Sequence, residues 1–119
     1  MNGKMKKQVN IAVVDDGINE NRYKTGKLIH NIEITRDLKV KPRQGYDTFA
    51  PSHGTTCAAI IKKAVPDALL SSLKILSDIN RKGIRAQLVK AIEWCADNNI
   101  NLINLSAGTI DYRDRKSVV

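Results

Sequence analysis

The chain has 119 residues, 42% of them hydrophobic, with seven Gly and three Pro. That is enough for one compact domain, too little for two, and it excludes disorder over most of the length. A formal charge of +8 raises nucleic-acid binding, but the basic residues are scattered over termini and connections (Lys4, Lys6, Lys7; Lys39, Lys41, Arg43; Arg113, Arg115, Lys116) without interleaved aromatics, which argues against it.

With one Trp, three Tyr and one Phe, the core must be built mainly from Ile, Val, Leu and Ala. The two cysteines, Cys57 and Cys95, lie in apolar helical contexts. They are too few for a disulfide scaffold and read as buried free thiols in a reducing compartment. The basic stretch Met1–Lys7 is followed only by the short apolar run Val9–Val14, which Asp15 and Asp16 close. Neither a signal peptide nor a membrane span is expected, and a cytoplasmic setting is the default. Residues 1–8 read as a basic leader and residues 9–119 as the domain.

In chain order, Val9–Val14 is rich in β-branched residues and ends at Asp-Asp-Gly, the pattern of a fully buried parallel strand. Asn19–Pro51 is polar, with possible short strands at Leu28–Glu33 and Gly45–Phe49. Pro51-Ser52-His53-Gly54-Thr55-Thr56 then leads into the helix-like Cys57–Lys63, which Pro66 stops. Ala68–Leu76 is a second strand and Ser77–Gly83 a polar loop. Leu88, Ala91, Ile92, Trp94 and Cys95 form the stripe of an amphipathic helix over about Arg85–Asn98, ended by Asn99. Ile100–Leu105 is a third strand, closing at Ser106-Ala107-Gly108, and the rest is charged. Alternating strands and helices predict an α/β domain with a parallel sheet. Functional residues gather outside the carboxyl ends of such strands, where Asp15 and Ser106 both fall, and His53 opens a helix.

Three segments, in order, carry a resemblance: Val13-Val14-Asp15-Asp16-Gly17-Ile18, His53-Gly54-Thr55-Thr56-Cys57-Ala58-Ala59-Ile60-Ile61, and Leu102-Ile103-Asn104-Leu105-Ser106-Ala107-Gly108-Thr109. Together they are similar to the blocks of the subtilisin-like serine peptidases (subtilases), over roughly Val9–Thr109. The resemblance implies the N-terminal part of a three-layer, parallel-sheet subtilisin-like fold with an incomplete sheet. It makes Asp15 and His53 the catalytic aspartate and histidine, and Ser106, Ala107 and Gly108 part of the substrate cleft, pairing with an extended peptide. Ser106 is therefore not read as a nucleophile. The Asp15-Asp16-Gly17 pair and Cys57-Ala58 are similar to the kexin and furin branch, which implies that Asp16 helps to bind a basic substrate residue. The chemistry fits these residue types. A serine hydroxyl needs an imidazole to take its proton, and the imidazole needs a buried carboxylate to hold its tautomer.

An apolar strand ending in Asp-Asp also opens response-regulator receiver domains. Asp78 lies too far downstream for their third aspartate, and His53-Gly54-Thr55 would go unexplained. A Cys57–His53 pair at helical spacing raises Cys–His catalysis, but Cys57 inside Cys-Ala-Ala-Ile-Ile reads better as a core thiol. His30 reads as a surface residue. No metal cluster stands out, and no cofactor is expected; calcium is common among subtilases, with no ligands assignable here. None of Ser52, Ser71, Ser72, Ser77, Ser106 and Ser117 has the neighbours of the family's nucleophile, and the Gly-Asn block of its oxyanion hole is not found. The expectation is a peptidase part that supplies Asp and His, with Gly-Asn and Gly-Thr-Ser on a second chain or a further part. The alternative is an inactive peptide-binding module. The apolar strand Ile100–Leu105, left as an edge, would be an aggregation hazard that such a partner relieves.

Overall fold

A computed structural model describes residues 8–105, and residues 109–111 by backbone alone. Strand β1 (Asn10–Asp15) is followed by β2 (His30–Ile34), β3 (Val40–Pro42), helix α1 (His53–Ala64), β4 (Leu69–Lys74), β5 (Lys82–Ile84), helix α2 (Arg85–Asp97), β6 (Leu102–Leu105) and β7 (Thr109–Asp111). The main sheet runs β3-β2-β4-β1-β6, and β5 pairs with β7 in a separate ribbon. Within the main sheet β1 is parallel to β4 and β6, β2 is parallel to β4, and β3 alone runs antiparallel.

Alternation along β1 explains the layers. Ile11 and Val13 join Ile18, Ala58, Ala68 and Leu70 on one face, with Cys57 and Ile61 of α1 packed against them. Ala12 and Val14 point the other way, into Ile34, Leu73, Ile75, Leu76, Ala91 and Cys95, beside Leu88 and Trp94 of α2. A strand apolar on both faces is stable only with a helix on each. The three-layer, mostly parallel α/β arrangement is therefore the one the sequence predicts. Leu73, fully buried between β1 and α2, belongs to the class of residues whose truncation to Ala costs about 2–5 kcal/mol.

The helix ends follow local chemistry. Ser52 caps α1, its Oγ accepting from Thr55 N at 3.1 Å, and Lys62 and Lys63 occupy the last turn before Pro66. At the start of α2, Gln87 accepts from Ile84 N at 2.9 Å and donates to Ile34 O at 2.8 Å, tying the helix to the end of β2. Asn99, left-handed at φ 60, follows its C-cap residue Asn98.

The structure corrects four readings. Gly45–Phe49 is a turn rather than a strand, closed by Asp47, whose carboxylate accepts from Phe49 N at 2.9 Å and whose carbonyl accepts from Ala50 N at 3.1 Å. The segment read as a basic loop instead contains β3, because a tight turn with left-handed Leu38 (φ 66) folds Val40–Pro42 back on β2. The end of the loop Ser77–Gly83 belongs to β5. His30 is half-buried, its ring edge-on to Trp94 at 5.0 Å.

Candidate active site

The site lies at the carboxyl end of β1, where the chain leaves the sheet. Asp15 is completely buried, and both its oxygens are engaged. Oδ1 accepts from Asp16 N at 2.7 Å and from Arg81 Nη2 at 2.8 Å. Oδ2 lies 2.7 Å from His53 Nδ1. An ionised carboxylate only accepts, so the ring proton sits on Nδ1 and Nε2 is left as the basic nitrogen. The His53 side chain is 44% exposed. A buried acid thus orients a half-open imidazole, the arrangement a general base requires.

The start of α1 is built to deliver that ring. His53 is the first residue of the helix, and the Asp16 carboxylate reaches under it. Oδ1 accepts from Gly54 N at 2.8 Å, and Oδ2 lies 3.3 Å from His53 N. Negative charge at the unsatisfied N–H groups of a helix start stabilises it. Gly54 allows the approach: a Cβ there would fall 2.6 Å from Gly17 O and 3.1 Å from Asp16 Oδ1. Ser52 Oγ also donates to Gly17 O at 2.8 Å, and Thr55 Oγ1 accepts from Asn19 N at 2.8 Å. The Asp-Asp-Gly turn and the helix start are therefore one hydrogen-bonded unit.

Arg43, one of the basic residues read as scattered over connections, and Arg81, within the segment read as a polar loop, are parts of this unit. Arg43 is 9% exposed, donating to Ile18 O at 2.9 Å and to Asn19 Oδ1 at 2.7 Å, and its guanidinium lies 4.0 Å from the Tyr46 ring centre. Burial pulls its pKa down. Tyr46, hydrogen-bonded to Glu20, is pushed up, first by burial and then by that bond. Arg81 stands against the Asp15–His53 pair itself. No spacing in the sequence connects either arginine to the motif, so only the fold reveals them.

Asp16 is buried at 6% exposure, bound to the helix start and 3.4 Å from Arg81 Nε, and it lines a polar cleft with Glu33, Arg43, Asp47, Lys74 and Asp78. Ser106, Ala107 and Gly108 lie outside the described residues. Cys57 meets the core-thiol reading only in part: it packs against the core cluster but is half-buried, one helical turn past His53, with Sγ 3.6 Å from Nδ1. That nitrogen is already committed to Asp15, so the geometry does not present Cys57 to the basic nitrogen. Cys95 is the core thiol, with burial raising its pKa to about 11.

Asp15, His53 and Cys57 offer ligand atoms within 4.8 Å of one another. Arg81 shares that space, with Nη2 3.1 Å from Nδ1, and a fixed cation there opposes a second one. We therefore assign no metal to them. Among the described serines, Ser52 is spent on the helix cap, Ser71 and Ser72 are buried in β4, and Ser77 is hydrogen-bonded to Asn80.

A mostly parallel α/β domain that holds a histidine against a buried acid at the end of an interior strand has the geometry that nucleophilic hydrolases use for a general base. The model of the subtilase family matches residues 6–119, and the chain belongs to this family of serine peptidases. No curated protein sequence gives a significant match. No helix among the described residues is long and apolar enough to cross a membrane.

Proposed function

We propose that this chain supplies the aspartate and histidine of a Ser-His-Asp endopeptidase, with Asp15 orienting His53 and His53 as the base. The observation that carries the reading is the Asp15–His53 contact of 2.7 Å between a fully buried carboxylate and a half-exposed ring. The nucleophile and the oxyanion donors belong to a Gly-Thr-Ser and a Gly-Asn segment on a partner chain or a further part of the enzyme. Without that part the chain does not hydrolyse peptides, because the oxyanion hole supplies even residual catalysis. In this reading the serine-bearing part joins at β6, which among the described residues pairs with β1 alone and so favours continuation of the parallel sheet. The free thiols favour a reducing, cytoplasmic setting.

In this reading the substrate is an extended peptide laid along Ser106-Ala107-Gly108. A basic side chain is selected through Asp16, which lines a polar cleft where Glu33, Asp47 and Asp78 outnumber Arg43 and Lys74. The test is to mix the chain with a companion bearing Gly-Asn and Gly-Thr-Ser and to probe with a fluorophosphonate. Labelling of the companion should depend on this chain and fall by about 10⁴ in Asp15→Asn, with the His53→Ala mixture also losing it. Labelling indifferent to His53 refutes the proposal, and peptide binding with no labelling in any mixture indicates a binding module instead.

A further inference from the structure

Arg81 is the one described residue, besides Asp15 and Cys57, with a hydrogen-bonding atom within 3.6 Å of His53 Nδ1. It comes from the loop before β5, in a left-handed backbone conformation at φ 50, with its N–H donating to Ser77 O at 3.0 Å. Its Nη2 donates to Asp15 Oδ1 at 2.8 Å and stands 3.1 Å from His53 Nδ1. Its Nε is buried without a hydrogen-bond partner, facing Asp16 Oδ2 at 3.4 Å. A strained non-glycine backbone and an unsatisfied buried donor both cost stability. A solvated loop arginine would relax out of this position; the two buried carboxylates hold it there.

We propose that Arg81 is a positioning residue of the Asp15–His53 pair, fixing the Asp15 carboxylate and opposing a second proton on the imidazole that the carboxylate holds. The reasoning is electrostatic. Nδ1 carries the proton shared with Asp15, so Nη2 meets it donor to donor. A second ring proton would put an imidazolium against a guanidinium. Like charges at this separation disfavour the protonated ring. The groups facing the ring are Asp15 from β1, Cys57 from α1 and Arg81, with Asp16 beneath its backbone N–H. Lys74 of β4 is set back, bonded to Asp16 O and Asp78. Of these, Arg81 is the one that opposes protonation at contact distance.

The inference rests on the peptidase reading only in calling the pair catalytic, and its test needs no hydrolysis. Ring-nitrogen NMR of the ¹⁵N-labelled chain resolves its two histidines, with His30, packed on Trp94, as internal control. Wild-type His53 should show the Nδ1–H tautomer; an Nε2–H ring overturns the inference without any variant. In Arg81→Gln the His53 midpoint should rise as the neighbouring cation is lost. Arg81→Lys should stay near wild type, and His30 should not move in either. Arg81→Met, which keeps the apolar stem, repeats the measurement if the glutamine variant does not fold. A folded neutral variant with an unmoved His53 midpoint refutes the proposal. In the mixed enzyme the acid limb of the pH–rate profile should move up with that midpoint. A titration shift without fluorophosphonate labelling would keep Arg81's role and sink the peptidase reading.

Discussion

The two edges of the sheet are managed in opposite ways. At one, β3 is three residues long, ends in Pro42 and carries Lys41, and Lys39 precedes it. Its residues are exposed and its only partner among the described residues is the antiparallel β2. Shortness, proline and lysine are the devices that keep an edge from pairing with another chain. At the other edge β6 reads Leu-Ile-Asn-Leu and pairs only with β1 among the described residues. Leu102 is 56% exposed and Leu105 52%. Their places opposite Ile11 and Val14 put one on each face of the sheet. So among the described residues β6 has no second strand beside it, and both of its leucines stay exposed while Ile103 packs against the core beside α2. One edge is blocked against neighbours, and the other has the composition of an interior strand.

If that contrast has the meaning proposed for it, charge should act at one edge and not at the other. Leu102→Lys should reduce companion-dependent fluorophosphonate labelling by about a hundredfold, because a lysine driven into an apolar sheet interface costs several kcal/mol. Val40→Lys, the same change at β3, should leave labelling within about twofold, as exposed sites do. Equal effects at the two edges, or none at either, break the comparison.

The sequence makes the site's axis legible and hides its surroundings. Val9–Val14 could be read as a fully buried parallel strand because both alternating sets are apolar, and the fold needs just that for β1. Asp15 and His53 were readable because the residues beside them, Gly54 above all, serve local backbone geometry as well as chemistry. The same apolar count makes β6 read as an interior strand, while among the described residues it pairs on one side only. Arg81 was not readable, since its contact with Asp15 spans 66 positions and depends on how a polar loop closes. Nor was β3, which has no alternation and exists because Leu38 makes the turn. Cys57 was legible only in part, because a helix's apolar run does not say which of the residues packed on the core also borders the open side. Gly45–Phe49 failed for the same reason as β3, in reverse: its strand-like residues are outweighed by the turn at Asp47.

Hydrogen exchange sharpens the contrast without mutation. Binding of the companion should slow exchange of those β6 amides that point away from β1 by tenfold or more, as they gain partners. The amides of β3 should exchange at the same rate with and without it. Protection appearing at β3 would place the partner on the wrong edge.

The smallest expected effect comes from undoing the blocked edge. In a Leu102→Lys background, where β6 is already closed to partners, Lys41→Val with Pro42→Thr restores to β3 a hydrogen-bond donor and an apolar, β-branched surface. Cross-strand pairs contribute about 0.2–1 kcal/mol each, and a three-residue strand offers few of them. The product should be weak, concentration-dependent self-association, visible by sedimentation equilibrium only toward millimolar chain. Its size matters as much as its sign. A tight dimer would mean that β3 was kept apart from neighbours by those two residues alone. No association at any concentration would mean that length and exposure suffice, and that lysine and proline add nothing to the protection of this edge.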